Sequence, residues 1–167
     1  RSFLLADFNG DSRLDIAFAM GPSPKIQVRY NSGGGAFGAA VNIPLSAIPY
    51  RLAAGDLNGD FRPDLAYIPL AVSGNLPAGV ILNRIDNQWQ PPVTLPLKPY
   101  GAVGNGNSKG AIEMGDLNID GFLDILVGLP FNNDAPLVVF RGDGRGGFQA
   151  QPHDLSIAPS VADMIVY

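Results

Sequence analysis

Cysteine is absent from this chain of 167 residues, and histidine occurs once, as His153. Without thiols the chain can form neither disulfide bonds nor thiolate metal sites. A lone histidine, with no serine in a nucleophile-elbow context beside it, does not make a nucleophile and base pair. These absences predict that the chain is not an enzyme and has no catalytic residues.

Charged residues and long apolar runs are also scarce. Only 16% of the residues are charged, and the eleven Lys and Arg are scattered along the chain. Nucleic-acid binding needs a basic patch or stripe, so that function is not predicted. No apolar run is long enough to cross a bilayer, and no segment resembles a signal peptide. Insertion into a membrane is therefore not predicted either.

Acidic residues, in contrast, are concentrated in three loops that share one spacing. The loops are "DFNGDSRLD" at 7–15, "DLNGDFRPD" at 56–64 and "DLNIDGFLD" at 116–124, and they hold nine of the fifteen acidic residues. They begin 49 and 60 residues apart. Recurrence at a spacing near 50 residues indicates repeated supersecondary units. The chain is therefore predicted to be an array of repeats.

The alternation inside each loop is typical of a binding site for a hard cation. Calcium takes six to eight oxygen ligands at roughly 2.3–2.6 Å. Side chains at positions 1, 3 and 5 turn to the same side of a tight loop, position 7 offers its carbonyl, and the aspartate at position 9 closes the site. The predicted ligands are Asp7, Asn9, Asp11, the carbonyl of Arg13 and Asp15; Asp56, Asn58, Asp60, the carbonyl of Arg62 and Asp64; and Asp116, Asn118, Asp120, the carbonyl of Phe122 and Asp124. Up to three structural Ca²⁺ ions are predicted.

The three loops differ at position 6, where such loops favour glycine for a sharp turn. Only the third loop has it, as Gly121, so the third site is predicted to bind most tightly. Turns rich in Asp and Asn that merely cap hairpins remain the alternative. An EF-hand is excluded because it needs Glu at position 12 and flanking helices. Position 12 is occupied by Phe18, Tyr67 and Val127.

The segments that flank the loops predict β-structure. "LDIAFAM", "PDLAYIPLA" and "LDILVGLP" are short apolar runs bounded by turn residues, typical of buried strands. Each is followed by two further strand-like segments, so each unit has four predicted strands, the pattern of a β-propeller blade. The predicted fold class is all-β, with repeats at approximately 1–49, 50–109 and 110–159 and residues 160–167 opening a further repeat.

These residues also carry a family resemblance. The D-x-N-x-D-x-x-x-D loops, "ILVGLP" at 125–130 and "NSGGGAFG" at 31–38 resemble the FG-GAP and VCBS repeats of integrin α-subunits, bacterial surface and secreted proteins, and some fungal lectins. The resemblance implies three antiparallel blades plus the first strand of a fourth, within a larger ring of about seven blades. It also implies an extracellular, calcium-stabilised binding or adhesion module.

The predicted ligand-binding surface is the face away from the acidic loops. Its longest connection, residues 98–110, contains Tyr100, Asn105, Asn107 and Lys109, which can stack on or hydrogen-bond to a glycan or peptide. A linker without a ligand is the alternative. The predicted partners are a protein or carbohydrate ligand and the remaining blades of the parent chain. A non-catalytic portion of a larger secreted enzyme is the second hypothesis for function.

Overall fold

The computed structural model describes residues 2–19, 21–70, 78–95, 110–128 and 137–153. Within these ranges the chain consists of β-strands, turns and irregular segments, and it has no helix that could cross a membrane. The strands are β1 (Ser2–Ala6), β2 (Asp15–Ala19), β3 (Lys25–Arg29), β4 (Asn31–Gly33), β5 (Ala36–Phe37), β6 (Val41–Pro44), β7 (Pro49–Gly55), β8 (Asp64–Pro69), β9 (Gly79–Ile81), β10 (Val93–Thr94), β11 (Ala111–Gly115), β12 (Asp124–Gly128), β13 (Leu137–Gly142) and β14 (Phe148–His153).

Twelve of these strands form three antiparallel sheets of four. Their orders are β1-β2-β3-β6, β7-β8-β9-β10 and β11-β12-β13-β14, and β4 and β5 form a small separate ribbon. In every sheet the residue before an acidic loop pairs with the ninth residue of that loop, as in Ala6 with Asp15. The prediction of an all-β fold built from four-stranded units is confirmed. The exact repeat boundaries stay a prediction, and residues 160–167 lie outside the described ranges.

The sheets stack face to face, with the second between the first and the third. In β8, Leu65 and Tyr67 pack in the core shared with the first sheet, whereas Ala66 and Ile68 pack in the core shared with the third. This division follows from the pleat, which sends successive side chains to opposite faces. Because both faces of the middle sheet are covered, β8 is apolar at nearly every position rather than alternating.

The first strands of the three sheets, β1, β7 and β11, lie next to one another at one side of the stack. The acidic loops and the hairpins between the third and fourth strands share one end of the stack, since antiparallel pairing returns the chain to the same end. This is the arrangement of propeller blades around an axis. The described residues do not close into a ring.

The outward face of the first sheet exposes apolar side chains that are covered in the other two sheets. Phe3 is 67% exposed, whereas Leu52 and Ile112, at the same position of the next two sheets, are 8% and 3% exposed. Leu123 lies over Gly55 of the preceding sheet, so closely that a β-carbon at Gly55 would be 2.6 Å from Leu123 Cδ1. Its counterpart in the first loop, Leu14, is 56% exposed. The side chains of the first sheet that correspond to those packed against a preceding sheet are therefore exposed.

Candidate functional site

The first aspartate of each acidic loop organises the turn through backbone N–H groups. Asp7 Oδ1 accepts hydrogen bonds from the N–H of Gly10 at 2.8 Å and of Asp11 at 3.1 Å. Asp7 Oδ2 accepts one from the N–H of Ser12 at 2.7 Å. The second loop repeats all three bonds on Asp56, and the third repeats those to positions 5 and 6 on Asp116. The three loops therefore share one backbone conformation.

Positions 3 and 5 lie in the same turn and bond to each other. The N–H of Asp11 donates to Asn9 Oδ1 at 3.1 Å, and Asn9 Nδ2 donates to Asp11 Oδ2 at 2.8 Å. Asp11 Oδ1 in turn accepts from the N–H of Arg13 at position 7, at 2.9 Å. The same three bonds occur in the second and third loops. The loop thus brings together oxygen donors from positions 1, 3 and 5.

The aspartates at position 9 point into the sheets. Asp15, Asp64 and Asp124 are each 0% exposed. Asp64 Oδ2 accepts from the N–H of Leu57 at 2.9 Å and Oδ1 from that of Asn83 at 2.7 Å. The equivalent donors to Asp15 and Asp124 are the backbone N–H groups of Phe8, Asn31, Leu117 and Gly142. Each of these carboxylates ties the acidic loop to the hairpin that follows the third strand of its sheet.

Burial sets the electrostatics of these carboxylates. Burial raises the pKa of Asp64 to about 7, against the effect of its two N–H donors, and the other aspartates of its loop add to the rise. Burial likewise raises the pKa of Asp15. Asp124 has a cationic partner, because Arg141 Nη1 lies 2.8 Å from its Oδ2. In the first two loops the buried negative charge is thus energetically costly, whereas in the third an arginine compensates it.

The predicted metal ligands are therefore close in sequence but divided in space. No group of three or more carboxylate or imidazole side chains within the described ranges is placed to hold a metal ion. In the first loop both oxygens of Asp15 accept hydrogen bonds from backbone N–H groups, those of Phe8 and Asn31, and the carboxylate is turned away from positions 1, 3 and 5. A cation at these loops would rely first on positions 1, 3, 5 and 7. The ligand sets stay a prediction.

Each loop needs the left-handed backbone conformation twice, at positions 4 and 6. At position 6, Ser12, Phe61 and Gly121 have φ values of 67°, 63° and 88°. Position 4 is also left-handed, and there the first two loops have glycine while the third has Ile119 at φ 61°. Each loop thus has one glycine for two left-handed positions. The glycine at position 6 that favours the third loop is thus offset by a β-branched residue at position 4, where left-handed backbone is strained.

Replacing Ile119 with glycine should stabilise the protein by about 1 kcal/mol. Left-handed backbone costs an L-residue roughly 1–2 kcal/mol, and the greater unfolded-state entropy of glycine offsets roughly half of that gain. Ile119 is 90% exposed, so little packing is lost. Urea unfolding of Ile119→Gly and Ile119→Ala checks the cause, because alanine keeps the β-carbon and the strain. Equal midpoints for the two variants would show that strain at position 4 is not the reason.

Two asparagines that the sequence analysis left without a role hold the loops in place. Asn31 Nδ2 donates to the carbonyl of Leu14 at 3.1 Å. Asn83 is fully buried, and its Nδ2 donates to the carbonyl of Phe8 in the neighbouring sheet at 2.7 Å. Each lies two residues after the third strand of its sheet, and the repeated Asn at that place was the available signal. Asn83 thereby joins the acidic loop of one sheet to the hairpin of the next.

The residues predicted to bind a partner, Tyr100, Asn105, Asn107 and Lys109, lie outside the described ranges. Their role stays a prediction.

Comparison with known proteins agrees with these loops and sheets. Residues 7–67, which span the first two loops, match a family described as FG-GAP-like repeat. This segment is similar to FG-GAP-like repeats. The chain is 34% identical to human integrin alpha-7 over 109 residues, which are 60% of the chain and 9% of that protein. The chain therefore spans about a tenth of this relative.

The fold of the chain is similar to that of a solved fungal lectin. The structure is that of an Agrocybe aegerita lectin that specifically recognises non-reducing terminal N-acetylglucosamine. The TM-score is 0.61 at 28% sequence identity, and the match covers 90% of this chain and 37% of the lectin chain. The similarity thus extends over nearly all of the chain, although it reaches little more than a third of the lectin.

Proposed function

We propose that this chain is part of an extracellular β-propeller that binds a carbohydrate partner and performs no catalysis. The observation that carries the proposal is the structural similarity to an N-acetylglucosamine-specific lectin over 90% of the chain. A protein partner is supported by the similarity to integrin alpha-7, which covers 60% of the chain. The carbohydrate partner is preferred because its supporting match includes almost the whole chain.

A glycan array with the full-length protein tests this function. We expect the protein to bind glycans that end in N-acetylglucosamine. It should not bind the same glycans when they are capped with galactose. The capped glycans control for binding to the inner sugars of the glycan instead of its terminal sugar. If the protein binds no glycan on the array, the carbohydrate proposal is wrong.

Calcium is proposed as the structural cation of the three acidic loops. The proposal is supported by the oxygen donors of positions 1, 3 and 5, which lie in one turn, and the bonds between positions 3 and 5 are the same in all three loops. Oxygen-only donor sets suit hard cations such as Ca²⁺. Burial is the main cause of the raised pKa of Asp64, and repulsion from Asp60 and Asp56 adds to it. A bound cation would relieve that repulsion. Extracellular modules bind calcium at roughly 10⁻⁴–10⁻³ M, which fits a location outside the cell.

Further blades of the parent protein are proposed to cover the outward face of the first sheet. Phe3 and Leu14 occupy positions that, in the other sheets, pack against a preceding sheet. An exposed apolar face of this kind marks an interaction surface. The preceding blade would place a small residue under Leu14, as Gly55 lies under Leu123.

A further inference from the structure

Three buried polar atoms between the first and second sheets have no hydrogen-bond partner among the residues that the structure describes. They are the hydroxyl of Tyr30, the side-chain oxygen Oδ1 of Asn83 and the indole nitrogen Nε1 of Trp89. Buried polar groups in native proteins are nearly always hydrogen-bonded, either to the protein or to an ordered water, because an unpaired one destabilises the fold. These three atoms therefore need a partner that the described residues do not supply.

Asn83 and Trp89 point to the same place in the neighbouring sheet. They lie opposite each other in an antiparallel bridge, so their side chains share one face of the hairpin. Both side chains contact Phe8 of the first sheet. Asn83 Nδ2 donates to its carbonyl at 2.7 Å, and the Trp89 ring packs edge-to-face on its ring with centroids 5.4 Å apart. The two unpaired atoms are therefore held at the junction between the sheets.

The hydroxyl of Tyr30 reaches the same junction from the first sheet. Tyr30 follows β3 directly, and its side chain packs, like that of Trp89, against the core that contains Phe8. Burial raises the pKa of Tyr30, whereas the neighbouring Trp89 side chain lowers it. The indole N–H thus lies close to the hydroxyl oxygen, although the two do not have the geometry of a hydrogen bond. A small polar molecule between them would bond to both.

The hydrogen-bonding character of the three atoms identifies the molecule that fits. Asn83 Nδ2 donates to the carbonyls of Phe8 at 2.7 Å and Pro63 at 3.3 Å, so Oδ1 is the atom that faces the junction. The junction thus offers one acceptor, one donor in the indole N–H of Trp89, and the Tyr30 hydroxyl, which can act as either. A cation would face the indole N–H and an anion would face the amide oxygen, so neither suits this set. Water both donates and accepts, and a buried water typically makes about three hydrogen bonds.

We propose that this junction is a binding site for one water molecule, which joins the first and second sheets. The water accepts from the N–H of Trp89, donates to Asn83 Oδ1 and forms its third bond with the Tyr30 hydroxyl. Because Tyr30 belongs to the first sheet and the other two residues to the second, the water is a hydrogen-bonded link between the sheets. Trp89 also lines a cavity of about 480 Å³ between β6 and residues 87–92, which gives water a route to the site. The inference is independent of the proposed carbohydrate and calcium functions.

A crystal structure of the full-length protein, at a resolution that shows ordered water, tests the site directly. We expect one water at about 2.7–3.2 Å from the Tyr30 hydroxyl, Asn83 Oδ1 and Trp89 Nε1. The proposal is wrong if no water lies there, or if any of the three atoms bonds directly to another protein group instead.

NMR of the full-length protein provides a second readout in solution. The indole N–H resonance of Trp89 is assigned by its disappearance in Trp89→Phe, and we expect a nuclear Overhauser effect between this proton and a long-lived water. The effect should persist in Tyr30→Phe, which removes the hydroxyl proton that could relay it, while the resonance itself shifts. Tyr50→Phe is the matched control, since Tyr50 packs in the core between the second and third sheets, and it should leave the resonance unmoved. Loss of the effect in Tyr30→Phe would identify the hydroxyl as its source and contradict the water site.

Discussion

Chelation of calcium should lower the melting temperature of the full-length protein by about 10 °C or more. A ligand that binds only the folded state stabilises it by RT ln(1 + [L]/Kd), or about 2.7 kcal/mol per site at a hundredfold excess over Kd. With a Kd of roughly 10⁻⁴–10⁻³ M, 10 mM Ca²⁺ adds about 1.4–2.7 kcal/mol at each loop. Three separate loops contribute additively.

The thermal melt needs two controls. Magnesium at the same concentration should stabilise much less, because it demands near-octahedral geometry at roughly 2.0–2.1 Å and gives up its water reluctantly. Asp11→Ala, Asp60→Ala and Asp120→Ala should each remove a part of the calcium-dependent shift, because each disrupts one of the three loops. Identical melting temperatures in calcium and in chelator would mean that the loops are capped turns without a cation.

The same three variants rank the loops. The glycine at position 6 predicts that Asp120→Ala costs more of the calcium-dependent stability than Asp11→Ala. Two structural features act against this order, namely the left-handed Ile119 and the arginine on Asp124, which brings a positive charge to the third loop. A smaller effect for Asp120→Ala would show that these two features decide the affinity.

Asp64→Ala should destabilise the protein by about 2–4 kcal/mol even in chelator. The carboxylate is fully buried and accepts hydrogen bonds from the N–H groups of Leu57 and Asn83. Alanine leaves both donors buried without an acceptor, and each such loss costs roughly 1–3 kcal/mol. The raised pKa of Asp64 means that burying its charge is already costly, so the net loss lies below the simple sum.

Chemical denaturation in chelator isolates this structural role from calcium binding. Asp60→Ala is the matched control, because Asp60 lies in the same loop, is exposed and bonds only within the loop. It should cost less than about 1 kcal/mol in chelator. Asp64→Asn keeps one acceptor and should fall between the two. Equal losses for Asp60→Ala and Asp64→Ala would show that position 9 has no structural role apart from the cation.

Much of the architecture could be predicted from sequence alone because it depends on local patterns. The alternating Asp and Asn of 7–15, 56–64 and 116–124 located three turns, and the apolar runs after them located β2, β8 and β12. A strand leading into a loop, a strand leading out of it and a following hairpin require only neighbouring residues to pair. Hence the four-stranded units and their antiparallel order were predictable.

The direction in which each aspartate points was decided by tertiary structure. Asp60 and Asp64 are two carboxylates of one loop, yet one is exposed and the other fully buried. The difference arises because the N–H of Asn83, nineteen residues away, lies within 2.7 Å of Asp64. That donor lies outside the nine-residue loop, so the spacing within the loop carries no information about it. From the sequence, Asp60 and Asp64 could only be treated as equivalent ligands.

The contacts between sheets could likewise not be predicted from the sequence, because each joins residues from separate repeats. The bond from Asn83 to the Phe8 carbonyl and the packing of Trp89 on Phe8 exist only when two sheets are stacked. The cavity lined by β6 and residues 87–92 forms between those same sheets. Sequence alone determined the repeats, their strands and their acidic turns. Stacking decided which carboxylates are buried and where a ligand can enter, because both depend on surfaces that come together only in the folded array.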